Sequence, residues 1–285
     1  MVNKGFDGSI STKGKVSGVE YDLGLTYTAY TNEATKIDAE GTSFLLFGAG
    51  RLGNVQRIEA GRPLSSFWGY VNEGVFQTQE EVNGWADMPY KRVGSWKIKD
   101  INGDKKIDAD DQTYIGNPIP KFQMGVDLVL KYKNFDFNTF LFWNYGNDIY
   151  NYTKWWTDLR GFVGGVSQRV LDNSWSPANT GGNLPVLNTN DTYSGSISNS
   201  FYVEKGSFLR MRTLQLGYTL PGEVAKKLGL NRARVYVTGQ NMFTVTNYSG
   251  PDPDIGIQGG DLTMGVDQFR TPQPRTFIVG LNFGF

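Results

Sequence analysis

The chain of 285 residues contains no cysteine and no histidine. Without cysteine there is no disulfide framework, no thiol nucleophile and no cysteine-based zinc site. Without histidine there is no Ser-His or Cys-His pair and no imidazole metal ligand, so the commonest hydrolase and zinc-enzyme mechanisms are excluded. Neither sign of charge is in excess, because 28 Lys and Arg balance 28 Asp and Glu. The composition therefore gives no electrostatic case for nucleic acid as a partner. Long apolar runs are absent too. The best candidate, Phe44 to Gly50, is far short of the roughly 18 residues a spanning helix needs, so any membrane crossing has to be made by strands. The first residues, MVNKGFDG, lack the basic, apolar and small-residue regions of a secretory signal.

Glycine and aromatic residues are plentiful: 36 Gly, 7 Trp, 15 Tyr and 18 Phe. That mixture suits many strands and turns. The carboxy-terminal stretch is the clearest strand, with Phe277, Val279, Leu281, Phe283 and the terminal Phe285 alternating with Ile278, Gly280, Asn282 and Gly284. One face is large and apolar and the other mostly small or polar, the pattern of a strand between lipid and a polar lumen. Val19 to Tyr30 alternates as strictly. Its length matches the roughly 9 to 11 residues of a tilted transmembrane strand, about twice the usual soluble strand. Gly5 to Thr12 precedes it. Lys121 to Tyr132 and Phe135 to Tyr145, separated only by Lys133 and Asn134, read as a hairpin. Phe208 to Leu220 and Arg232 to Phe243 form a third pair, joined by a segment from Pro221 to Gly229 that suits one short helix. In this pair the facing is mixed, because strict alternation puts Arg210 and Arg212 on the face of Leu214, Leu216 and Tyr218.

Short connections (Lys13 to Gly18, Lys133 and Asn134, Pro221 to Leu230) alternate with long ones (33–120, 146–205 and 244–271). Outer-membrane barrels have this asymmetry, with short periplasmic turns and long extracellular loops. The expected fold is all-β: an antiparallel transmembrane β-barrel, of which this chain supplies a carboxy-terminal segment of about seven strands. Seven strands leave two unpaired edges at the depth of lipid. Either further strands lie within the long loops, or the remaining strands and the export signal lie outside this chain.

Several stretches then carry a resemblance: GRPLSSFWGY (61–70), KDINGDKKIDADDQTYIGNPIPKFQMG, YKNFDFNTFLFW, FYVEKGSFLRMRTLQLGYTLP, ARVYVTGQNMFT and PQPRTFIVGLNFGF. Together they resemble the closing part of the SusC/RagA group of TonB-linked outer-membrane transporters, in the family's order and through nearly the whole chain. The resemblance implies a barrel of about 22 strands with an amino-terminal plug, a SusD-like lipoprotein lid, and import of oligosaccharides or peptides energised by the TonB complex. The plug and the TonB-contacting segment are expected outside residues 1–285. It also implies that Phe277, Val279, Leu281, Phe283 and Phe285 belong to the signal read by the barrel-assembly machinery.

Two constellations carry candidate site chemistry. Asp100, Asn102, Asp104, Asp108 and Asp111, with the Lys106 carbonyl, stand at positions 1, 3, 5, 9, 12 and 7 of an EF-hand-type calcium loop. Lys105 replaces the usual glycine and Asp111 the usual glutamate. A solvated acidic turn is the alternative, and any bound Ca2+ is expected to be structural. The aromatic run from Trp143 through Trp155 and Trp156, with Trp175 beyond, offers ring faces for stacking on sugars. An interfacial girdle continuing into a packed loop accounts for the same residues without a ligand. The carboxylate pairs Glu80-Glu81 and Asp110-Asp111 read as solvated loops, and the glycines of 161–165 and 259–260 as flexible positions without phosphate-loop context. No catalysis is expected. The competing readings are a soluble all-β carbohydrate-binding protein and a two-carboxylate glycoside hydrolase.

Overall fold

The computed structural model describes residues 1–37, 45–159, 165–187, 196–256 and 263–285. Seven strands form one antiparallel sheet in chain order: β1 (Val2–Val16), β2 (Val19–Glu33), β3 (Phe122–Tyr132), β4 (Phe135–Tyr145), β5 (Phe208–Thr219), β6 (Arg232–Thr246) and β7 (Thr276–Gly284). This is the expected barrel-wall segment. The first hairpin is longer than its alternation suggested, because pairing runs from Val2 opposite Glu33 down to Val16 opposite Val19. Its turn is two residues, Ser17 and Gly18, both at positive φ, a conformation that glycine adopts at little cost. Pro221 caps a helix at Gly222–Lys227, and Gly229 at φ 73° lets the chain turn back into β6.

Residues opposite each other in register point to the same side of a sheet. One row therefore runs Val279, Val237, Leu216, Phe137, Leu130, Tyr21. The next row runs Ile278, Thr238, Gln215, Asn138, Val129, Asp22, Lys13. The wall thus has an apolar face for lipid and a polar face for the lumen. Near the long loops the apolar face carries touching rings: Phe122 lies 5.5 Å from Tyr27 and 5.1 Å from both Trp143 and Tyr145. At the turn end Phe135 and Tyr218 are 4.8 Å apart. These two bands have the placement of interfacial aromatic girdles.

The mixed facing of β5 has a definite cause. Arg212 is an extra residue: Phe140 pairs with Thr213 and Leu141 with Met211. A bulge shifts the alternation by one residue. Arg210 therefore shares the polar face with Phe142 and Thr244, while Leu214 and Leu216 stay on the apolar face with Val237.

The long connections hold strands, but among the described residues none of these joins the wall. Four of them (Leu45–Gly48, Asn54–Ile58, Ser66–Tyr70, Gln112–Gly116) make a small sheet, and Asn72–Val75 pairs with Trp96–Ile98. Asp148–Asn151 pairs with both Val203–Lys205 and Val266–Asp267, so residues from two different long connections share a sheet. The described residues of segment 33–120 are consequently part of a folded dome. One buried cluster unites Val55 and Phe67 with Tyr150, Trp155, Tyr202 and Val266, drawn from all three connections. A second contains Phe76, Trp96, Ile98, Val170 and Leu184. Gly69 allows one close approach between connections, because a Cβ there would lie 2.5 Å from the Ser198 carbonyl oxygen.

Candidate functional site

The polar face of the wall meets the underside of the dome at the mouth of the lumen, where Arg210 and Arg212 stand beside the β5 bulge. Arg210 is 3 % exposed and donates to Asp252, and its Nε donates to Thr244 Oγ1 at 2.9 Å. Arg212 donates to Asp254 Oδ2 at 3.2 Å and lays its guanidinium 4.0 Å over the Phe142 ring. The Asp252 carboxyl is buried, which by itself raises its pKa. The Gln273 and Asp254 amides and the Arg210 guanidinium outweigh burial and hold it below the usual carboxylate range. A cavity of about 250 Å³ opens beside this pair. Its wall side carries an amide row in which Gln123 donates to Asn144 at 2.9 Å and Asn144 to Asn147 at 2.7 Å. Amides, an arginine, a carboxylate and the Phe142 ring together suit a neutral, hydrogen-bonding solute better than a chemical reaction. The hint in the sequence was the Arg-x-Arg of β5 beside the later Pro-Asp-Pro-Asp, which alternation had scored as a facing conflict.

The aromatic candidates part company. Trp155 is 1 % exposed, packs in the first dome core and meets Trp156 edge-on at 4.7 Å. It is a core residue, so stacking of Trp155 on a sugar is ruled out in this conformation. Trp156 packs on the same core and against Phe269 at 5.7 Å, and Trp175 rests on the second core. The three indoles do not form one platform.

The acidic loop is a set of capped turns. Asp100 accepts from the Gly103 and Lys105 amides at 2.7 and 2.9 Å, Asn102 from Asp104 at 3.0 Å, and Asp104 from Lys106 at 2.8 Å. Lys105 takes φ 65° and thereby makes the turn that glycine makes in a calcium loop. Asp111 is fully buried, caps Ile101 and Asp108, and completes a capping box. The Lys106 ammonium sits 2.8 Å from Asp108, which lowers the pKa of that carboxyl. Among the described residues no three acidic groups converge on a cation position. The oxygens of the loop are turned to backbone amides and to Lys106. A cation would have to displace Lys106 from Asp108.

The Glu80-Glu81 pair belongs to a helix start. Glu80 and Glu81 occupy the first turn of helix Gln79–Gly84, where Thr78 caps the Glu81 amide and Glu81 accepts from the Gln77 amide. They lie on a helix, not in a loop. Of the glycine-rich segments, 161–164 and 259–260 lie outside the described residues. Inside the dome, Lys154 and Glu204 form a buried pair at 2.8 Å, and Glu204 also accepts from the Ser249 amide and hydroxyl. This ties the second long connection to the third. Burial lowers the Lys154 pKa even beside that carboxylate. Burial acts upward on Glu204, but Lys154 and Ser249 outweigh it and lower its pKa.

No protein-family model matches the chain. Individual proteins do match along its entire length. It is 31 % identical over 296 aligned residues to TonB-dependent receptor P3 of Formosa agariphila, covering 100 % of this chain and 29 % of that receptor. It is 28 % identical to TonB-dependent receptor SusC of Bacteroides thetaiotaomicron, again over 100 % of this chain and 26 % of the relative. The fold matches a chain of the RagAB peptide transporter with a TM-score of 0.78 at 20 % identity, over 99 % of this chain and 29 % of that one. The chain thus spans less than a third of the length of the relatives it matches.

Proposed function

Since the chain belongs with the SusC/RagA group of TonB-dependent receptors and corresponds to a carboxy-terminal portion of their barrel, we propose that it builds wall, lumen mouth and extracellular dome of an outer-membrane nutrient importer. The observation that carries this reading is the two-faced meander, with every short turn at one end and all the long connections folded together at the other. On this reading the short turns face the periplasm and the dome faces outward. The transported solute is an oligosaccharide or a peptide, consistent with the neutral amide row at the lumen mouth. A SusD-like lipoprotein covers the dome, and the TonB complex acts through parts of the receptor beyond these residues. The last strand, with Phe277, Val279, Leu281, Phe283 and Phe285, serves as the assembly signal.

A soluble carbohydrate-binding protein fits less well. Phe277, Val279 and Leu281 are 67, 72 and 63 % exposed on one continuous face, an apolar surface that water penalises and lipid does not. The test is growth on single oligosaccharides and single peptides, with and without the complete receptor. Loss of growth on one solute class is expected, and unchanged growth on all of them rejects the reading.

A further inference from the structure

The connection from β5 to β6 carries the short helix Gly222–Lys227 at the turn end of the wall. At 3.6 residues per turn, Val224, Ala225 and Leu228 fall within one arc of about 100°, and Glu223, Lys226 and Lys227 within another. Ala225 is fully buried, whereas Val224 and Leu228 on the same arc are 44 and 63 % exposed. The strand beneath shows where that arc points. Ala233 lies opposite Phe283 in the apolar row, yet it is 2 % exposed while Phe283 is 51 % exposed. The elements packed closely on β6 are its two neighbouring strands, which lie beside Ala233, and this helix. The helix therefore covers Ala233 from the lipid side, next to Val235 and the girdle ring of Tyr218 opposite it. Lys226 and Lys227 make no ion pair with Glu223 or any other carboxylate among the described residues. The β1–β2 turn differs, since Lys13 pairs with Asp22 at 2.7 Å and Lys15 with Glu20 at 3.1 Å.

We propose that this helix is a membrane-interface anchor whose apolar flank enters the bilayer at the turn-end rim and whose two lysines bind the phosphates of anionic phospholipid. The inference rests on the barrel reading, which makes the apolar face of the wall its lipid face. Val224 and Leu228 continue the exposed surface of Phe283 beyond the strands, and lipid is the medium that already touches that surface. An amphipathic helix is stable in such a position, with its apolar side in the acyl boundary and its lysines among the headgroups. Each lysine near an anionic leaflet strengthens association about fivefold. A water-soluble partner fits less well, since it would have to displace lipid from the adjoining Phe283 and Tyr218. Lysines in a last turn also complement the helix dipole, but that role carries no preference among lipids.

The chain has no cysteine, so single introduced cysteines carrying an environment-sensitive fluorophore report position in a complete receptor, its other cysteines replaced, reconstituted in phospholipid vesicles. A probe at Leu228→Cys is expected to be quenched by lipid bearing a nitroxide at its headgroup and shielded from aqueous iodide. A probe at Glu223→Cys should show the reverse. At equal mole fraction, spin-labelled phosphatidylglycerol should quench the Leu228→Cys probe severalfold more than spin-labelled phosphatidylcholine. That ratio should fall towards one when Lys226→Gln and Lys227→Gln are combined. Equal iodide access at the two positions overturns the inference, as does equal quenching by the two lipids or a ratio that the glutamines leave unchanged. Abolition of the ratio by millimolar inorganic phosphate assigns the lysines to free phosphate and overturns it too. Val279→Cys separates the two readings. With that probe quenched by nitroxide deep in the acyl chains and the Leu228→Cys probe unquenched, this inference fails alone; with the Val279→Cys probe unquenched, the barrel reading fails and takes the inference with it.

Discussion

The wall and the dome are made from the same kinds of residue and put them to opposite use. In the dome, Phe67, Tyr150 and Trp155 are at most 1 % exposed and pack against side chains from three separate connections. In the wall, Val279, Leu281 and Phe283 remain 72, 63 and 51 % exposed, and the pairing that holds them is backbone to backbone. The dome is stabilised by removing apolar surface from water, about 25 cal/mol for each Å². The wall is stabilised by ladder hydrogen bonds, and its apolar surface is stable because its solvent is lipid. A hydrophobic residue is therefore core in one half of this molecule and surface in the other.

Substitutions that exchange these environments should have the largest effects. Trp155→Ala leaves a cavity where three connections meet and is expected to destabilise the dome by about 3–5 kcal/mol, read as a lower thermal midpoint and faster proteolysis of the connections with the wall intact. Val279→Arg puts a charge on the lipid face and should cost about 2–4 kcal/mol if that residue lies near the bilayer midplane. Asn138→Arg, on the neighbouring polar row, should cost far less, and equal costs in lipid-vesicle unfolding would break the two-face assignment.

Acid provides a milder probe. Glu204 and Asp252 both have depressed pKa values in the folded chain, so their contribution is present above the unfolded carboxylate range near 4. It is lost as pH falls through their lower, folded values. Dome protection against an acid-active protease should decline over that window, and less so in Glu204→Gln. The smallest effect is expected at the acidic loop. Calorimetry on the complete receptor should give calcium binding at millimolar or tighter affinity that Asp104→Ala weakens, and no heat of binding would leave the loop as a capped turn.

Much of the wall could be read from the sequence because strand alternation is local. Phe135–Tyr145 was delimited to the residue, and the last strand nearly so. The β5 facing was not, since the bulge at Arg212 depends on how two neighbouring strands align with it. The candidate site was less legible. Arg210 meets Asp252 across 42 residues and Gln56 reaches the Met264 carbonyl across 208. Contacts at such separations leave no periodicity to count. Trp155 and Trp156 looked like a ring platform because adjacency in sequence says nothing of burial, and only the packing of Ala49, Leu52 and Tyr202 shows Trp155 to be core.

The sequence by itself determined that this chain crosses a membrane with strands if it crosses at all, that its short and long connections alternate, and which side chains could face lipid. These properties follow from a period of two and from the length a tilted strand must span. Tertiary structure decided that the three long connections fold as one dome and that Arg210 turns to the lumen. Those outcomes depend on which distant segments meet, and hydrophobic burial and charge pairing act on proximity in space.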